Sequence, residues 1–166
     1  MKEIPLTKGM VALVDDDVWE WAKQYSWYAE TGGDNQTTAY ARRRIRENGK
    51  ARYVYLHRVI MNAKPGQQVD HINNNGLDCR RVNLRLCTDA QNHYNKPKPN
   101  IITTSRFKGV CLEKRTGKWI AGGKHNWKRY NLGVYKTEEE AAAVYDKWAI
   151  EHFGEFALTN AMLGLL

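Results

Sequence analysis

With 26 Lys and Arg against 18 Asp and Glu, this 166-residue chain carries a formal charge of +8, and its 42% apolar residues suffice for one medium core or two small ones. No apolar run approaches the roughly 18 residues a membrane helix needs and no secretory leader follows Lys2 and Glu3, so a cytoplasmic protein is expected. Cys79, Cys87 and Cys111 include no Cys-x-x-Cys pair, which sets aside a disulfide framework and a structural zinc site of the usual spacing.

In chain order, residues 10–14 read as a strand, and Asp15, Asp16 and Asp17 as acidic capping for a short helix with Val18, Trp19, Trp21 and Ala22. Residues 27–30 and 38–46 read as strands, and Asn48-Gly49 predicts a tight hairpin into a strand over 51–56. Between Tyr40 and Ile60 the basic residues Arg42, Arg43, Arg44, Arg46, Lys50, Arg52 and Arg58 face Glu47 alone. Alternation places Arg42, Arg44 and Arg46 on one face, which is either a phosphate-contacting ribbon or a solvated sheet face.

A short helix over 57–61 ends at the Lys64-Pro65-Gly66 turn. A strand over Gln68–His71, a polar loop Asn73-Asn74-Asn75-Gly76, a strand over Leu84–Cys87 and a helix over 88–95 follow. Thr88 and Gln91 form the capping-box pattern that sets where this helix begins. Residues 96–100, Lys-Pro-Lys-Pro-Asn, cannot continue a helix and read as a stiff basic connector. Beyond it lie strands over 107–114, 118–124 and 130–135. Thr137 and Glu140 then cap a helix with Ala141, Ala142, Tyr145, Trp148 and Ala149 on one face, and Gly154 is placed to stop it.

The dipeptide Asp70-His71, followed at fixed distances by Asn83 and Asn92 and set among these turn signals, resembles the HNH endonuclease family. The resemblance is to the branch with Asp-His at the first position and Asn at the third, in particular to the homing endonucleases of phages and bacteria. It implies a ββα-metal core over about 56–96 and DNA as substrate. Phosphodiester hydrolysis requires an activated water, neutralisation of charge on phosphorus and support for the departing 3′ oxygen. Asp70 and Asn92 are the expected oxygen ligands of a divalent ion, and such a set favours Mg²⁺, with Mn²⁺ as the alternative, over zinc. His71 is the expected general base, its imidazole titrating near neutrality. For Asn83 the resemblance implies that the side chain braces the loop and orients the histidine. His57 and His93 are auxiliary candidates, and Arg80, Arg81 and Arg85 border the motif as phosphate contacts or plain surface. A zinc cluster of His57, Cys79, Cys87 and His93 fits no recurring spacing.

Phe107-Lys108-Gly109-Val110, Gly117-Lys118-Trp119, Asn131-Leu132-Gly133 and the run from Glu139 through Ala143 with Tyr145 and Asp146 resemble the Apetala/ethylene-response-factor DNA-binding domain over about 105–160. That resemblance implies a three-stranded sheet in the major groove with a helix behind it. Lys108, Lys124 and Arg129 stand at cationic positions of the pattern, while Cys111 and Glu113 replace two arginines and Asn131 a tryptophan, so DNA binding carries over and the plant target does not.

The expectation is therefore an α+β chain with a nuclease domain over 1–97, a connector over 98–104 and a DNA-binding domain over 105–160. Its expected function is metal-dependent cleavage of double-stranded DNA to 5′-phosphate and 3′-hydroxyl ends, by nicking, in a bacterial or phage-infected cell. The alternative is a DNA-binding regulator with an inactive nuclease fold, and oligomeric state is left open.

Overall fold

A computed structural model describes residues 1–32, 38–98 and 103–166, in which Met1–Asn92 and His93–Leu166 form separate compact units. Among the described residues no helix is long and apolar enough to cross a membrane.

The first unit opens with a strand that alternation did not single out: β1 (Lys2–Pro5) pairs antiparallel with β2 (Val11–Val14). Ile4, Ala12 and Val14 from this pair pack with Val18 and Ala22 of α1 (Asp16–Ala22), and with Trp27, Ala41, Leu56 and Cys79, to make the core. The expected capping by Asp15 gives way to a different contact. Asp15 is extended at the helix start but makes no side-chain cap; its Oδ2 accepts the backbone N–H of Arg81 at 2.9 Å. That bond and a backbone bridge fasten β2 to the motif loop, with Leu13 donating to Leu77 and Cys79 donating to Leu13.

β3 (Tyr28–Thr31), β4 (Ala39–Glu47) and β5 (Lys50–Tyr55) form one antiparallel sheet in that order. The β4–β5 turn holds Asn48 at φ 50° and Gly49 at φ 74°, the left-handed pair that a two-residue hairpin demands. α2 (Leu56–Ile60) follows at once and buries Leu56 and His57. β6 (Gln68–His71) and β7 (Leu84–Cys87) then pair antiparallel, and α3 (Asp89–Tyr94) completes a strand, loop, strand, helix order. The Thr88–Gln91 box at its start is formed in both directions.

In the second unit β8 (Val110–Glu113), β9 (Lys118–His125) and β10 (Lys128–Tyr135) make an antiparallel sheet with β9 central. β8 is shorter than the expected 107–114. Phe107 is instead fully buried before a turn at Gly109, whose φ of +71° and whose missing Cβ, 1.9 Å from the Tyr145 ring, leave room only for glycine. α4 (Glu138–Phe153) begins at the Thr137–Glu140 capping box and buries Ala141, Ala142, Tyr145, Trp148 and Ala149 against the sheet. Gly154, at φ 55°, ends it. The connector reading falls partly on 99–102, outside the described residues. Within what is described, Lys98 Nζ donates to the carbonyls of Ser105 at 2.8 Å and Phe107 at 2.9 Å.

Candidate active site

The loop between β6 and β7 is anchored in the core by Leu77 and Cys79, and its polar part is ordered by amides. Asn83 Nδ2 donates to Asn73 Oδ1 at 2.9 Å and to the Asp78 carbonyl at 2.8 Å, while Asn83 Oδ1 accepts the Asn73 N–H at 3.0 Å. Asn73 Nδ2 in turn donates to Asp78 Oδ2 at 2.9 Å, and Arg80 closes on the same carboxylate through Nε and Nη2. The Arg80 guanidinium holds the Asp78 carboxyl below its ordinary range. Nearly every polar atom of Asn83 is thus used, as a buried amide requires. Backbone bonds from Ile72 to Asn83 and from Asn74 to His71 carry this rigidity to the end of β6.

Asp70 and His71 are the last residues of β6 and are 4% and 6% exposed. Their alternation sends them to different neighbours. Asp70 lies opposite Arg85 across the strand pair, and its Oδ2 accepts from Arg85 Nε at 2.8 Å. His71 enters an aromatic box: its ring centroid is 5.0 Å from that of His57 and 5.8 Å from that of Tyr40, and His57 lies 5.5 Å from Tyr40 and 5.6 Å from Tyr55. Gly76 lets the loop approach, since a Cβ there would stand 2.4 Å from the Ala39 carbonyl and 2.7 Å from the Tyr40 ring.

Burial in this box lowers the His71 pKa to about 4 against the opposing pull of Asp70 and Asp78, which corrects the expectation of titration near neutrality. Burial, then the neighbouring His71 and Arg58, lowers His57 to about 3. Both rings are therefore neutral at physiological pH, the form that can accept a proton. Burial also lifts the Tyr40 hydroxyl, with Asp70 adding to the effect.

Four of the expected DNA contacts are engaged inside the chain. Arg85 is held by Asp70, Arg81 reaches Asp15 and Asp17, and Lys108 Nζ donates to the Tyr94 carbonyl at 2.9 Å, where burial lowers its pKa to about 8. Arg42 pairs with Glu30 and stacks over Tyr53 at 4.1 Å. Arg44, Arg46, Lys124 and Arg129 are exposed, as is His93, while Asn92 is half-buried on α3. Tyr40 was not anticipated. Its signal was its parity: it shares a strand face with Arg42, Arg44 and Arg46, and that face starts at the histidines.

The Asp70 carboxylate and the Asn92 amide are hard oxygen donors, a chemistry that suits a cation keeping several waters. Zinc is poorly served. Among the described residues no three His, Cys, Asp or Glu side chains converge to hold a metal, and burial pushes the Cys79 thiol up to about 12 and that of Cys87 to about 11.

The model of the HNH endonuclease family matches residues 54–94, the stretch from the end of β5 to α3. The uncharacterized HNH endonuclease L560 of Acanthamoeba polyphaga mimivirus is 31% identical over 153 residues, covering 92% of this chain and 76% of the relative. The chain belongs to the HNH endonuclease family. As an HNH endonuclease it is a nuclease, and members of this family generally depend on a divalent metal. The ethylene-responsive transcription factor WRI1 of Arabidopsis thaliana is 45% identical over 58 residues, and APETALA2-like protein 2 of rice (Oryza sativa subsp. japonica) is 46% identical over 59. These matches span 34% of this chain and only 14% and 13% of the plant proteins. No solved structure matches the chain.

Proposed function

We propose that this nuclease is a divalent-metal-dependent DNA endonuclease of the homing type, which nicks duplex DNA and leaves 5′-phosphate and 3′-hydroxyl ends. The observation that carries the reading is the placement of a neutral, buried His71 beside the buried carboxylate Asp70, on a strand end braced by the Asn73–Asp78–Asn83 amide cluster. In this reading His71 takes the proton from the attacking water, and its neutral form is ready to do so without a prior loss of charge. Asn83 acts on position, since its hydrogen bonds hold the loop on which His71 and Ile72 end.

Asp70 and Asn92 would hold the ion, with Mg²⁺ favoured by their oxygen chemistry; when bound, it supplies charge neutralisation on the phosphate and support for the leaving 3′ oxygen. Arg85 balances Asp70 and keeps that carboxylate oriented. Arg44 and Arg46 extend the face that starts at Tyr40, and they are assigned to the DNA backbone. Residues 1–97 are assigned to cleavage and 105–160 to target binding, joined by 98–104. Lys124 and Arg129, direct cross-strand neighbours, provide cations on the second domain's sheet.

The test is supercoiled plasmid incubated with the full chain and Mg²⁺, with and without a chelator. Relaxed circles that a ligase reseals directly, and that the chelator prevents, are the expected products. Cleavage unaffected by chelator, or nicks that no ligase closes, would overturn the mechanism.

A further inference from the structure

The chain builds the same two-residue turn twice, and the second copy breaks the chemistry of the first. At the β4–β5 turn the left-handed positions belong to Asn48 and Gly49, the residues that tolerate them best. At the β9–β10 turn they belong to Asn126 at φ 47° and Trp127 at φ 65°, between the paired residues His125 and Lys128. A bulky side chain in this conformation is an outlier. No packing compensates for it, because Trp127 is 91% exposed and is the most exposed large apolar residue of the described chain.

Its surroundings are cationic. From Lys114 to Lys136 the basic residues are Lys114, Arg115, Lys118, Lys124, Lys128, Arg129 and Lys136, with no Asp or Glu among them. Gly123 lies under Trp148 of α4, where a Cβ would be 2.1 Å from the ring, so odd-numbered residues of β9 face the helix and even-numbered ones face away. Lys124 is therefore on the outward face, and its Nζ stands 4.8 Å from the Trp127 ring centroid. The indole thus extends the same face on which Lys124 and Arg129 stand opposite each other. Strain in the backbone, an indole left in water and the flanking cations Lys124 and Arg129 have one common explanation, a ligand that offers flat apolar rings and anionic groups together.

We propose that Trp127 is a base-stacking wedge: when the β8–β9–β10 sheet meets DNA, the indole leaves water and packs against nucleobases while Lys124 and Arg129 take the flanking phosphates. Aromatic side chains use this mode on unstacked bases, and apolar wedges use it at kinked base steps. The proposal rests on the reading of this sheet as a DNA-binding surface and adds the contact that distorts or grips the bases. A stacking contact of this type does not read base edges, so it strengthens binding across sequences.

The test compares full-length wild type with Trp127→Gly, Trp127→Phe, Lys124→Ala and Arg129→Ala on a mixed-sequence duplex carrying 2-aminopurine, at fixed salt. Glycine suits the left-handed position, so Trp127→Gly should melt at the same temperature as wild type or higher. It should nonetheless bind about tenfold or more weakly and lose the rise in 2-aminopurine fluorescence that accompanies unstacking, with Trp127→Phe recovering part of both. If the two cation variants weaken binding while Trp127→Gly binds and unstacks like wild type, the wedge is wrong and the sheet reading stands. If none of the variants changes binding, both are wrong.

Discussion

Each half of the molecule buries an acid bonded to amides, and the two clusters end differently. In the second unit Asp146 accepts from the backbone N–H groups of Asn160 and Ala161 and from Asn160 Nδ2, and Asn160 itself bonds both backbone groups of Lys108. That cluster ties the chain after α4 to the entry of the sheet. In the first unit the Asn73–Asp78–Asn83 cluster has the same chemistry, but it holds Asn73, next to Ile72, and the backbone bonds from Ile72 to Asn83 and from Asn74 to His71 carry on to the end of β6, where Asp70 and His71 stand. A buried polar cluster is thus not in itself a mark of function. What distinguishes the two is whether the hydrogen bonds lead to groups that can do chemistry.

The largest effect expected from breaking this contrast is at His71. His71→Ala should lower single-turnover cleavage about a hundredfold or more while the protein stays folded and its DNA affinity stays near wild type. Normal cleavage by that variant would remove the general base from the account. Asp70→Ala and Asn92→Ala should raise the Mg²⁺ concentration needed for half-maximal cleavage by about tenfold or more. A Mg²⁺ titration that matches wild type for both variants would mean the ion sits elsewhere.

Smaller effects sharpen the boundary between scaffold and chemistry. Gly76→Ala, whose new Cβ would lie 2.4 Å from the Ala39 carbonyl, should cost about 1–3 kcal/mol of stability in denaturant titration and slow cleavage by moving Tyr40 off the histidines. A stable, fully active Gly76→Ala would show that the loop contact is incidental. Smallest of all, Arg44→Ala and Arg46→Ala should each reduce the slope of log affinity against log salt by about 1 and leave the cleavage rate of bound DNA unchanged. An unaltered slope would make that strand face ordinary surface.

The motif was legible because its boundaries are written in local chemistry. The capping box at Thr88 and Gln91, the Asn-rich loop and the period of the flanking strands locate β6, β7 and α3 without reference to the rest of the chain. β1 was not legible, since Lys2–Pro5 has a single buried residue, Ile4, and gains its strand form from pairing with β2. Partners of charged residues were also hidden. Composition around Arg81, Arg85 and Lys108 announces positive charge, but only the fold reveals that Asp15 and Asp17, Asp70 and the Tyr94 carbonyl are within reach. The shift of His71 down to about 4 belongs to the same class, because burial under Tyr40 comes from a strand far away in sequence.

The direct test of the contrast is a matched pair of deletions, Asn83→Ala and Asn160→Ala, each followed by thermal melting and by cleavage of DNA at saturating protein. Each removes a buried amide and should destabilise the protein by about 1–3 kcal/mol. Only Asn83→Ala should slow cleavage of the bound DNA, because only its side chain holds Asn73, two residues beyond His71. A folded Asn83→Ala that cleaves bound DNA at the wild-type rate, or an Asn160→Ala that slows it equally, would contradict the account.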